Sequence, residues 1–222
     1  MGTKRYIPIA GTQARDNYTA KDRWFQRGSL FDQKANEKDC ERVEQNNDPN
    51  TPDPGYWSGD LAGLLYQSLW TWVQSFSRQD PHPWDIGAHA LATLIQSRAE
   101  KWQKQGDSLI IIAHSHGGQV ACLALKQMAR KSLGFPIHLI TVDMPVRCGW
   151  FLPDMCEAYE ATRGHVDQWT HLYSDRMNPY RAVGSRFGPL KCKQANDNIR
   201  MRGGHTNPLV HPIYMDQVIN LL

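Results

Sequence analysis

Five consecutive apolar residues, Leu109-Ile110-Ile111-Ile112-Ala113, run without a break into His114-Ser115-His116-Gly117-Gly118. An uninterrupted apolar run of this length is how a strand buried on both faces reads, and such strands belong to parallel sheets covered by helices. The spacing after it predicts a helix from His116 or Gly117 to about Lys131, with Val120, Leu123, Ala124 and Met128 inward. One serine occupies the turn between strand and helix. The positions two before and two after it, Ala113 and Gly117, are small, as a sharp turn with a strained backbone requires. Serine is a good helix N-cap. A cap alone explains neither the buried strand before Ser115 nor the two glycines so soon after it.

The rest of the chain repeats this alternation. Residues 5–11 read as a short strand, although Pro8 is awkward in a central one. Leu61, Leu64, Leu65, Leu69, Trp72 and Val73 predict a helix over 59–76, and Ile86, Ala90, Leu94, Ile95, Ala99 and Trp102 predict another over 85–105. Strands are expected at 108–113, 137–143 and 168–174, with a short last one at 199–202. A short helix is expected near 154–162 and a closing helix at 212–222. Residues 12–60 are polar and read as an irregular insertion or flap within a single 1–222 domain. The architecture implied is α/β, with a mostly parallel sheet flanked by helices.

Composition removes several classes of protein. Of the 222 residues, 41% are hydrophobic and 21% charged, which excludes a disordered or fibrous chain. A formal charge of +3 is too mild for a dedicated nucleic-acid binder, so no nucleic-acid partner is expected. No run approaches the ~18 apolar residues of a membrane span, so no integral membrane segment is expected. The N-terminus lacks the apolar core of a secretory signal, and the expected location is cytoplasmic. The five cysteines, Cys40, Cys122, Cys148, Cys156 and Cys192, are odd in number and lack a CxxC pair. They read as reduced thiols rather than a disulfide framework or zinc ribbon.

The chemistry follows from Ser115. A serine at a strand-to-helix turn is placed to act as a nucleophile, and it then needs a base and an acid, which follow it in that fold in the order Ser, acid, His. Of the nine histidines, His205 lies in Gly203-Gly204-His205-Thr206-Asn207, between the last strand and the closing helix. His211, beside Pro212 at a helix start, reads as a surface residue. Two carboxylates stand at strand ends, Asp143 and Asp175. Asp175, after the later strand, leads, and Asp143 is the alternative. Asn178 would orient a histidine less well, because a carboxylate stabilises the imidazolium that forms. An oxyanion hole needs two donors. The backbone N–H of His116 is one, and that of Thr12 or Gln13, after Gly11, is the other. His114 and His116 flank a tight turn, so their side chains diverge and no metal site is expected; no cofactor is expected either. The basic residues between Arg176 and Arg202 read as a solvated face.

Taken together, Ala113-His-Ser-His-Gly-Gly118, Ala10-Gly-Thr12, Gly55-Tyr-Trp-Ser-Gly-Asp60, Met144-Pro-Val-Arg147 and Gly204-His205 resemble the α/β-hydrolase superfamily, in particular its small lipase- and esterase-like members from bacteria and phages. The resemblance implies a three-layer fold with a sheet trimmed to five or six strands. It also implies Ser115 as nucleophile, His205 as base and Asp175 as acid. The expected activity is hydrolysis of a small-molecule or lipid carboxylic ester through an acyl-enzyme. The alternatives are a thioesterase or amidase with the same residues, or a catalytically silent binding protein of that fold.

Overall fold

The computed structural model describes residues 2–9, 28–43, 83–128, 133–146, 155–174, 191–201 and 212–222. The predicted helix over 59–76 lies outside them. Six strands form one sheet: β1 (Lys4–Ile9), β2 (Cys40–Arg42), β3 (Ser108–His114), β4 (Ile137–Val142), β5 (Gln168–Ser174) and β6 (Asp197–Met201). Their order is β2-β1-β3-β4-β5-β6, and every pairing is parallel. All six carboxyl ends therefore emerge at one edge, where open α/β sheets place their ligands.

Five described helices cover the two faces: α1 (Leu30–Asn36), α2 (Pro83–Gln105), α3 (Gly117–Met128), α4 (Cys156–Arg163) and α5 (Pro212–Ile219). Strand alternation divides the core between them. Ile7, Ile9, Leu109, Ile111, Leu139 and Trp169 pack with residues of α2, α3 and α4, whereas Tyr6, Ile110, Ile112, Ile140, Val142 and Leu172 pack with residues of α1 and α5. The result is a three-layer α/β sandwich. In α2, Trp84, Ala88, Leu91, Ile95 and Trp102 are buried at helical spacing, and Gly106, at φ +68°, follows its last turn.

Pro8 sits inside β1, in register with Ile112 of β3. The Tyr6 carbonyl, accepting from Val43 N–H at 2.9 Å, faces the β2 side of the strand. Pro8, two residues on, turns its missing N–H to that same side, beyond the last rung of β2, where no ladder bond is lost.

The stretch read as irregular carries order at its middle, in α1 and β2. Its polar residues hide a buried network centred on Asp32. The Asp32 carboxylate accepts from Tyr6 Oη at 2.5 Å, Gly28 N at 2.7 Å and Arg42 Nη1 at 2.9 Å, while Asp32 N–H donates to the capping Ser29 Oγ at 3.2 Å. Burial first, then the Asp32 carboxylate, push the Tyr6 phenol well above its ordinary range, so it stays a donor. The network fastens α1 and β2 to β1.

Cys40, Cys122 and Cys192 are buried free thiols, as expected. Cys156 is instead disulfide-bonded. Spacing along the chain does not report the Cα separation and Cβ directions on which a disulfide depends, which is why the sequence reading missed it. No described helix is long and apolar enough to cross a membrane.

Tyr6→Phe removes one donor from buried Asp32. The expected cost is about 1–3 kcal/mol, read by calorimetry as a fall in Tm of about 2–4 °C per kcal/mol. An unchanged Tm would show that the bond contributes nothing net.

Candidate active site

β3 ends at His114, and Ser115 then turns to φ +52°. On the neighbouring strand β4 ends at Val142, and Asp143 turns to φ +48°. Each residue first extends the ladder by one rung: Ser115 N–H donates to the Val142 carbonyl at 2.9 Å, and Asp143 N–H donates to the Leu172 carbonyl at 2.7 Å. Left-handed backbone costs a non-glycine residue roughly 1–2 kcal/mol, and it persists where the surroundings over-determine it. Among the described residues the third such case is Asp39, in the turn between α1 and β2. Aspartate tolerates that region in ordinary turns. Ser115 has no such excuse, and it stands beside Asp143 on adjacent strands about 4.8 Å apart.

The start of α3 completes the turn. Gly118 N–H donates to Ser115 O at 3.0 Å, and His116 O accepts from Gln119 N at 3.0 Å and Val120 N at 3.3 Å. The amide of His116 therefore lies at the amino end of the helix, where dipoles and N–H groups favour negative charge. Ser115 and His116 are largely buried.

The sequence reading explained small residues at 113 and 117. The structure supplies a separate reason for Gly118. A Cβ there would meet Met144 Cγ and Sδ at 2.5 Å, so the first turn of α3 closes directly onto the residue after Asp143. Gln119 strengthens this contact. Its Nε2 donates to the Pro145 carbonyl, and its Oε1 accepts from Tyr159 Oη of α4 at 2.8 Å. The Ser115 turn and the segment 143–145 thus form one packed unit.

Asp143 is 6% exposed. Its carboxylate accepts from Ser174 N–H at 3.2 Å and from Ser174 Oγ at 3.2 Å. Ser174 is the last residue of β5 and is fully buried. Deeper in the same strands, Trp169 Nε1 donates to Thr141 Oγ1 at 2.9 Å, and Thr141 Oγ1 meets His171 Nδ1 at 2.9 Å, which ties β4 to β5 beneath the edge. His114 shares a strand face with Ile112, on the α1 and α5 side, whereas the His116 ring stacks on Trp84 of α2 with centroids 5.4 Å apart. The two imidazoles diverge to opposite faces of the sheet. Among the described residues no group of three or more His, Cys, Asp or Glu is placed to hold a metal ion.

Of the residues singled out by sequence, the structure therefore brings Ser115, His116 and Asp143 together. Thr12, Gln13, Asp175 and His205 lie outside the described residues. Along the chain, Asp175 is the residue after the end of β5, and His205 comes shortly after the end of β6. Sequence reasoning missed Ser174, Gln119, Tyr159 and Trp84, and named Met144 only within the resemblance. The second glycine of the Gly117-Gly118 pair was the one signal pointing to this packing.

A fully parallel sheet between two helical layers, with a serine in left-handed backbone between a buried strand and a helix, defines a class of α/β fold. Residues 79–142 match the family described as "Alpha/beta hydrolase of unknown function (DUF900)". That stretch includes β3, the Ser115 turn, α3 and β4. Over these residues the chain is similar to that α/β-hydrolase family, and its parallel sheet flanked by helices is consistent with a three-layer α/β fold. No curated protein matches the chain closely enough to count as a relative.

Gly118→Ala forces Met144 away from α3. The expected cost is about 1–3 kcal/mol, as for other overpacked core sites. Combining it with Met144→Ala recovers part of that loss. A double-mutant cycle on Tm checks this, and strict additivity of the two changes would rule out the contact as the cause.

Proposed function

We propose that the chain is a serine hydrolase that cleaves carboxylic esters through an acyl-enzyme. The observation that carries the reading is Ser115 itself, a buried non-glycine residue held at φ +52° between a parallel strand and the amino end of α3. In this reading His205 takes the Ser115 proton as its oxygen attacks the acyl carbon. The oxyanion rests on the backbone N–H of His116 and on that of Thr12 or Gln13. His205 then protonates the leaving alcohol. Water, deprotonated by His205, hydrolyses the acyl-enzyme and regenerates Ser115. A small-molecule or lipid ester is the substrate class, because esters need the least help with the leaving group.

Asp175 and Asp143 compete for the role of acid, and the described geometry favours Asp143. Its carboxylate is held by two donors from Ser174 on the strand next to it, and its backbone shares the strained geometry of Ser115. Such clamping fixes a carboxylate for orienting an imidazole. Asp175 keeps its claim from its place after β5.

Ser115→Ala is expected to abolish turnover of p-nitrophenyl acetate and labelling by a fluorophosphonate, with the fold retained by circular dichroism. Full activity in that variant would refute the nucleophile. A wild-type protein that is neither labelled nor active would leave the binding-protein reading.

Asp143→Asn is expected to lower kcat by roughly 10²–10⁴, by analogy with other serine hydrolase acids, while Asp175→Asn changes it far less. The opposite ranking in the same assay would assign the acid to Asp175.

A further inference from the structure

We propose that Trp84 is a positioning residue for the oxyanion donor, its indole holding in place the residue whose N–H follows Ser115. The inference deepens the hydrolase reading above and rests on it. The peptide joining Ser115 to His116 carries both the Ser115 carbonyl and the His116 N–H, which point in opposite directions because the unit is planar and trans. Its carbonyl end is held by Gly118 N–H at 3.0 Å. His116 is held further by its own carbonyl, which accepts from Gln119 N at 3.0 Å and Val120 N at 3.3 Å, and by its side chain. That ring lies 5.4 Å from the Trp84 indole at an interplanar angle of 29°, a stacked pair, with Trp84 1% exposed and His116 6% exposed.

Trp84 stands in the first turn of α2, and α2 packs alongside α3 within the same core. The stack therefore joins the beginnings of two helices across the Ser115 turn. A tilt of the His116 backbone swings its N–H away from the position an oxyanion takes, and it also breaks ring contact with Trp84. Displacements near 1 Å at such a donor lower rates by about a hundredfold.

The test uses the full chain with p-nitrophenyl acetate as substrate and a fluorophosphonate as the covalent probe, both well below each variant's Tm. Trp84→Leu keeps an apolar side chain and loses the ring. It is expected to lower kcat and the labelling rate about ten- to a hundredfold with KM nearly unchanged. Trp84→Phe, which keeps a ring, restores most of that loss. Where Trp84→Leu fails to fold, His116→Leu removes the stack from the other side and is expected to show the same split between kcat and KM. Folded Leu variants with wild-type kcat would overturn the proposal, as would a Trp84→Phe variant as slow as Trp84→Leu. A wild-type chain that is not labelled at Ser115 overturns the hydrolase reading and this inference with it. Labelling of wild type and Trp84→Leu at equal rates overturns this inference alone.

Discussion

A parallel strand can lend a carbonyl at or near its end to the amide one step beyond the end of its neighbour. Val142 does this for Ser115, and Leu172 does it for Asp143. These two bonds form a staircase across β3, β4 and β5, and each step releases its residue into left-handed backbone. The strain, roughly 1–2 kcal/mol per residue, is affordable because the strands behind it are buried on both faces. Neither residue can relax to an extended conformation without displacing the helix or loop that follows. The rigidity of the sheet thus becomes rigidity of the edge, which is the property a site needs if its groups are to be in place before a substrate arrives.

The same staircase explains which other residues matter. Gly118 lets α3 close on Met144, and Gln119 reaches Pro145 with Tyr159 behind it. On the far side Ser174 clamps the Asp143 carboxylate. Each contact bridges elements separated by a whole helix or strand in sequence. A change at Gln119 or Tyr159 is expected to shift the Ser115 turn relative to Asp143 without touching Ser115 or Asp143.

Much of the scaffold was legible because burial on both faces leaves an unmistakable signature. The strand predicted at 168–174 is β5 residue for residue, and those at 108–113 and 137–143 differ from β3 and β4 by one residue each. That single residue is informative for β4: Asp143 reads as the end of a strand but in fact leaves it at positive φ. The element β2 was missed because three residues are too few for any period to show, and α1 because its buried Asp32 looks like an exposed charge until Tyr6 and Arg42 are seen around it. The disulfide at Cys156 and the stack of Trp84 on His116 were illegible for a related reason, since both depend on distances in space that spacing in sequence does not encode.

In the proposed hydrolase, the identity of the acid turns on that difference between sequence and space. By chain order, Asp175 follows the later strand. By geometry, Asp143 stands on the strand next to Ser115, and Ser174, the residue just before Asp175, spends both its amide and its hydroxyl on the Asp143 carboxylate. A carboxylate that receives two hydrogen bonds is stabilised in its charged form and fixed in direction. Both are required of a group that must hold an imidazole in one tautomer while that imidazole gains a proton. The end of β5 thus takes part in the site through Ser174 whichever aspartate completes it, because Ser174 fixes Asp143 through its side chain and precedes Asp175 along the backbone.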